Sequence, residues 1–126
     1  KENVFHHSRV DTTYVGGITQ AIKIMKIVKK YNKNTELQSW SYPLGQAANL
    51  HVMLSNENCN YFEQVVPYKN HEHAAKSFIR TDNLGYVGPN PEHGLGIEVD
   101  WDIVSRDWYS HIRLDEKGLK SQIRSI

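Results

Sequence analysis

Asp11, Gln38 and Glu63 fall at the carboxyl ends of three segments that read as successive β-strands. Carboxylates can take or hold a proton, whereas an amide such as Gln38 only donates and accepts hydrogen bonds. In a parallel α/β sheet or barrel, ligands and catalytic side chains collect at that end of the strands. Trp40 adds an aromatic ring beside Gln38. The plainer alternative is that Asp11 opens a turn and Glu63 is a solvated strand residue. Spacing alone assigns no reaction.

Other chemistries find less support. Gly16-Gly17 directly precedes a helical pattern, but the Gly-x-Gly-x-x-Gly and Gly-Lys-Ser/Thr patterns of phosphate loops are absent. A tight entry from strand to helix explains the pair more simply. Seven histidines raise the question of a metal. His6 and His7 alternate across a strand, so they face opposite sides. His71 and His73 share a face only if extended, and neither pair has carboxylate or thiolate partners at zinc-like spacing. His51, on an apolar helix, reads as a packed histidine with a satisfied ring nitrogen. Ser39 and Ser41 lack a nucleophile elbow, and Cys59 has no base beside it in sequence.

The elements that would position these residues alternate. Phe5 to Thr13 is rich in β-compatible types and is expected to be a strand ending near Thr12. From Ile18 to Tyr31, Ile18, Ala21, Ile22, Met25 and Val28 recur at helical spacing, with Lys29 and Lys30 complementing the dipole in the last turn. Thr35 to Trp40 reads as a second strand. Pro43 opens a second helix over Leu44 to Leu54, and Tyr61 to Val66 reads as a third strand. Strand, helix, strand, helix, strand is the order of parallel strands joined by crossovers. Beyond Pro67, His71 to Phe78 suggests a helical turn or two. Thr81 to Gly96 should be loop or a hairpin around Asp82-Asn83. Gly96 to Asp100 reads as a short strand, Trp101 to Tyr109 as a helix, and the tail from Leu114 to Ile126 as polar and frayed.

The bulk numbers set limits. A chain of 126 residues, 39% hydrophobic and 23% charged, suits one ordinary soluble globular domain. Fifteen basic and fourteen acidic residues give a net charge of +1 with no basic stripe, which argues against nucleic-acid binding. No apolar run approaches bilayer length, and Lys1 to His7 lacks a signal-peptide core, so neither a membrane nor export is expected. A single cysteine permits no internal disulfide and favours a reducing, cytoplasmic setting. The first residue is not Met, which raises the expectation that the sequence begins inside a longer protein.

Four sequence blocks carry a resemblance. Val10-Asp-Thr-Thr-Tyr-Val-Gly-Gly-Ile-Thr19 looks like a strand ending in Asp, followed after four residues by Gly-Gly-Ile/Val-Thr and a helix. Leu37-Gln-Ser-Trp-Ser-Tyr-Pro-Leu-Gly-Gln-Ala-Ala-Asn-Leu-His51 resembles a strand and helix usually written Pro-His-Ser-Trp-Gly with Ala-Asn-Leu-His beyond. Asn60-Tyr-Phe-Glu63 resembles a final strand ending in Glu, and Gly94-Leu-Gly-Ile-Glu-Val-Asp100 a closing Pro-Gly-Leu-Gly-Val segment. In this order and spacing they resemble the sixth, seventh and eighth barrel strands of mandelate racemase/muconate lactonizing enzymes, within the enolase superfamily. The match runs from about Val10 to Asp100.

The resemblance implies an α/β fold: a partial (β/α) TIM-type barrel made of the last strands and helices plus a carboxyl-terminal closing segment. Residues 1–100 would be the carboxyl-terminal portion of the barrel domain, and 101–126 a carboxyl-terminal helix and polar tail. A complete barrel of this kind needs about 250 residues. The family's shared reaction removes a proton α to a carboxylate, with Mg2+ stabilising the resulting negative charge. Its Mg2+ ligands sit on strands upstream of this chain. Asp11 matches the Asp that orients a catalytic His, and Glu63 the Glu that hydrogen-bonds substrate. Gln38 stands where most dyad-type members place that His, and Gln cannot serve as a general base. Ser39 and Trp40 are implied substrate contacts. The expected substrate is a small carboxylate such as a sugar acid, and the parent enzyme a homo-oligomer. A dehydratase fits better than a racemase or epimerase, because the latter needs two acid/base groups on opposite faces. A non-catalytic truncated fragment, inactive in isolation, is the reading from another class.

Overall fold

The computed structural model describes residues 4–108, 110–115 and 117–123. Strand β1 (His7–Val10) is followed by a single helical turn, α1 (Thr12–Val15), and by helix α2 (Ile18–Lys29). Strand β2 (Asn34–Leu37) lies parallel to β1, with Arg9 opposite Glu36 and Val10 opposite Leu37. Helix α3 (Pro43–Leu54) follows, opened by a proline that needs no backbone donor at that position. The sequence order of alternating strands and helices therefore gives parallel pairing, as expected.

Burial follows the periodicities that form the elements. In α2, Ala21, Met25 and Val28 are buried at i, i+4 and i+7, and Lys26 and Lys29 occupy its last turn. Val10, Ala21, Met25, Leu37, Val52 and Cys59 form one core cluster between the β1–β2 pair and the two helices. Burial of a large apolar side chain such as Met25 or Leu37 contributes roughly 1.5–3 kcal/mol. A second cluster, Ala47, Leu50 and Ile79, joins α3 to the chain beyond it, with Val87, Leu95 and Ile97 packed against it. The segment expected to close the barrel thus does pack on α3.

Several expected boundaries move. The first strand stops at Val10, because Asp11 caps α1 with its side chain and turns the chain into a helix. Gly16 (φ 93°) and Gly17 (φ 101°) both take positive φ between α1 and α2, so the pair serves the tight entry expected of it. The third expected strand is reduced to a parallel bridge, Leu37 with Phe62, supported by the bond from Glu63 N to Leu37 O at 3.2 Å. Upstream, Thr35 N is bonded instead to Asn58 O, so the chain between 58 and 62 leaves ladder geometry. The helix expected over His71 to Phe78 does not form: a 3-10 turn, Tyr68–His71, precedes it, and the chain from 72 to 78 holds a turn, bends and the Ala75 bridge. The expected strand near Val99 is an antiparallel bridge to Ala75. Asp82 closes its loop through bonds from Leu84 N and Tyr86 N to Oδ1.

Helix α4 (Trp101–Asp107) is capped by Asp100, which accepts from Ile103 N at 3.1 Å; Tyr109, expected in this helix, lies outside the described residues. The expected frayed tail is corrected: β3 (Ser110–Asp115) and β4 (Gly118–Ile123) form an antiparallel hairpin. Ile112 and Leu114 alternate with Arg113 and Asp115 in sequence, the period of a strand, and a polar composition hid it. Residues 124–126 of that tail lie outside the described residues. Among the described residues no helix is long and apolar enough to cross a membrane.

Candidate active site at the strand ends

Strand alternation decides which side chains share a face. Val10, Leu37 and Phe62 lie opposite one another and belong to the helix-side core or pack against it. The next position on each strand therefore faces the other side. That row is Asp11, Gln38 and Glu63, and the row before it on the same face is Arg9, Glu36 and Tyr61. Register thus puts the three sequence-predicted residues at the same level of successive strands; the Arg9–Glu63 contact sets Glu63 on the Arg9 face, whereas the Asp11 side chain is engaged by its own helical turn and by Asn49 of α3.

Asp11 is 4% exposed. Its Oδ1 accepts from Thr13 N (2.8 Å), Thr13 Oγ1 (2.7 Å) and Asn49 Nδ2 (3.0 Å). Its Oδ2 is enclosed with no hydrogen-bond partner among the described residues. Asn49, fully buried on α3, also donates to Gln38 O at 2.8 Å and accepts from Thr12 N at 2.8 Å. One amide therefore ties the end of β1 to the end of β2. Helix α3 can deliver it because Asn49 shares the buried face of Gln46, Leu50 and Val52.

Glu63 is partly buried, and its Oε1 stands 3.5 Å from Arg9 Nη2 while Oε2 is enclosed without a partner among the described residues. Arg9 also faces Glu36, at 4.0 Å. Gln38 is half-buried. Ser39 and Trp40 separate: Ser39 is buried with its hydroxyl unpartnered among the described residues, whereas Trp40 is largely exposed. Of these two, only Trp40 offers open surface. His51 departs from expectation, since its Nε2 is enclosed without a partner among the described residues instead of being satisfied.

Comparison with known proteins identifies the family and the fold. Residues 1–103 match the family model described as enolase C-terminal domain-like. The chain belongs to the enolase superfamily. A solved structure of a candidate mandelate racemase/muconate lactonizing enzyme from Pseudovibrio sp. is 50% identical, with a TM-score of 0.78 over 81% of this chain and 27% of that one. The D-galactonate dehydratase of Xanthomonas oryzae pv. oryzae is 30% identical over 102 residues, 76% of this chain and 27% of the relative. The D-glucarate dehydratase from Agrobacterium tumefaciens, solved with magnesium, is 25% identical, with a TM-score of 0.63 over 80% of this chain and 26% of that one. The chain thus spans about a quarter of the length of these relatives, and its fold is a partial α/β barrel of the mandelate racemase type.

Enolase-superfamily enzymes generally use Mg2+. Among the described residues no three His, Cys, Asp or Glu side chains gather as a metal site. Asp11 has one oxygen saturated by three donors, and the nearer oxygen of Glu63 faces a guanidinium. The described residues do not by themselves make a magnesium cage.

Arg9 and Asn49 were not singled out from sequence as site residues. Arg9 is two positions before Asp11 and so shares its strand face, a signal that was available. Asn49 stood out only as part of a family motif. A polar residue inside the apolar run Ala47, Ala48, Leu50, Val52 was the physical clue, because a buried amide needs partners.

Proposed function

We propose that this chain is the carboxyl-terminal part of a Mg2+-dependent sugar-acid dehydratase. The observation that supports this most is the single row of Asp11, Gln38 and Glu63, with Gln38 bringing no titratable proton to it. Similarity to a D-galactonate dehydratase and a D-glucarate dehydratase favours acid sugars as the substrate class.

Dehydration breaks the C–H bond α to the carboxylate and the C–O bond at the β-carbon. The β-hydroxyl leaves with a proton as water, and the enol tautomerises to a 2-oxo-3-deoxy acid. Gln38 can hold a substrate oxygen but cannot take the α-proton. The base, like the magnesium ligands, is therefore assigned to other segments of the whole protein. Glu63, with part of its side chain open and Arg9 behind it, is assigned to substrate hydrogen bonding. Trp40 offers its ring as a wall. A racemase would need two proton-carrying groups on opposite faces, and Gln38 removes one.

The test is incubation of the full-length protein with Mg2+ and a panel of sugar acids, D-galactonate and D-glucarate included, in deuterated water. The expected result is a 2-oxo-3-deoxy acid carrying deuterium at C3. Exchange at C2 without loss of water would replace dehydration by racemisation or epimerisation. No exchange and no product across the panel would overturn the proposal.

A further inference from the structure

We propose that Asn49 is a positioning residue that fixes the Asp11 carboxylate relative to the Gln38 strand end. This rests on the reading that Asp11 and Gln38 belong to a working site. The orientation of the Asn49 amide is dictated by its neighbours. Thr12 N–H can only donate and the Gln38 carbonyl can only accept, so the oxygen must face Thr12 and the nitrogen Gln38, which leaves its second N–H for Asp11 Oδ1. Both N–H groups and the oxygen are used, inside a site with no exposure. Packing alone would be served by Leu at this position, without the cost of burying an amide. The return on that cost is geometric: the amide links two strand ends that α2 separates in sequence, and it limits how the Asp11 carboxylate can turn. Displacing it shifts Asp11, the Thr12 backbone and the Gln38 peptide together.

Asn49→Asp gives the sharpest test. The new carboxyl group would face Asp11 Oδ1 and the Gln38 carbonyl, two acceptors; with a proton it could donate to one of them, while the other would lose its donor. Two carboxyls in contact share one proton, with one pKa raised in the folded protein. A raised folded pKa means that the folded state holds more protons than the unfolded one, so stability falls as pH rises.

In the full-length protein, Asn49→Asp and Asn49→Ala are compared with the parent by thermal unfolding between pH 5 and pH 8 and by kcat and KM on a sugar acid. For Asn49→Asp, Tm is expected to drop with rising pH more steeply than for the parent. For Asn49→Ala, kcat is expected to fall about 10- to 100-fold with KM changed less than about threefold. Part of kcat should return in Asn49→Asp at the acid end. Parallel Tm profiles for Asn49→Asp and parent, or an Asn49→Ala enzyme with parental kcat, would overturn the proposal. If Asn49→Asp does not fold, the kcat and KM of Asn49→Ala decide. If the parent turns over no sugar acid, the dehydratase reading fails while the Tm profiles still decide the place of Asn49.

Discussion

Arg9 reaches past β2 to Glu63, its Nη2 standing 3.5 Å from Glu63 Oε1 and 4.0 Å from Glu36 Oε2. Register explains the reach. Arg9 pairs directly with Glu36, and Glu63 sits one strand further and one level higher on the same face. A cation one row below the strand ends thus faces a carboxylate at the rim. About half of the Arg9 side chain is exposed, so solvent screens the pair.

A double-mutant cycle of Arg9→Met and Glu63→Gln should therefore give a small coupling, about 0.2–1 kcal/mol by denaturant unfolding. The coupling should shrink as salt is raised. A coupling that survives high salt undiminished would place the pair in a far drier environment than this structure gives it.

Gly45 is held against its neighbours. A Cβ there would lie 2.7 Å from Ser41 Cβ and 3.0 Å from Thr13 Cγ2, and would also collide with Ser41 Oγ. Gly45→Ala is expected to destabilise the protein by about 1–3 kcal/mol through overpacking between α3 and the α1 turn. Ser41→Gly in the same background should recover part of the loss, because it removes two of the three colliding atoms. Equal Tm values for Gly45→Ala and the parent would show that α3 can shift away from Thr13 freely.

Leu37 carries no exposure and sits where β1, β2 and the Phe62 bridge meet. Leu37→Ala is expected to cost about 2–5 kcal/mol, measured by denaturant unfolding. A cost below about 1 kcal/mol would mean that the cavity collapses easily and that the Phe62 bridge adds little cohesion.

The sequence patterns that proved legible are those with a strong period. Ala21, Met25 and Val28 recur at helical spacing and are buried, and Pro43 marks the opening of α3, one residue before the expected helix span. Asp11, Gln38 and Glu63 stand out because each lies in or at the edge of a run of β-compatible types, and register puts them at one level. The Tyr61 to Val66 run was read as a full strand since its composition is right. Only Phe62 and Glu63 reach Leu37, because Asn58 takes the Thr35 donor that a regular ladder would have used differently. The carboxyl-terminal hairpin was missed for the opposite reason: its charge outweighed its period. Asn49 was hidden because no local pattern reveals that three partners just beyond two strand ends converge on one side chain.

Cys59 has 7% exposure and sits in the core cluster beside Leu37. Burial, above all, pushes its thiol pKa up; backbone contacts at Leu37 and Tyr61 offset part of this, and the negative charge of Glu36 adds to the rise. A raised folded pKa makes the neutral thiol the form that folding favours, so its contribution is present below the ordinary thiol pKa. It is lost as pH rises through the folded value, because the unfolded chain gives up that proton first. Two outcomes are expected. A thiol reagent should modify Cys59 far more slowly in native protein than in denaturant at the same alkaline pH. Stability measured from pH 7 upward should fall less steeply in Cys59→Ala than in the parent, even if the variant starts lower because of lost packing. Parallel alkaline profiles, or equal native and denatured labelling rates, would mean that Cys59 lies open to solvent and that the core between β2 and the two helices is not packed as described.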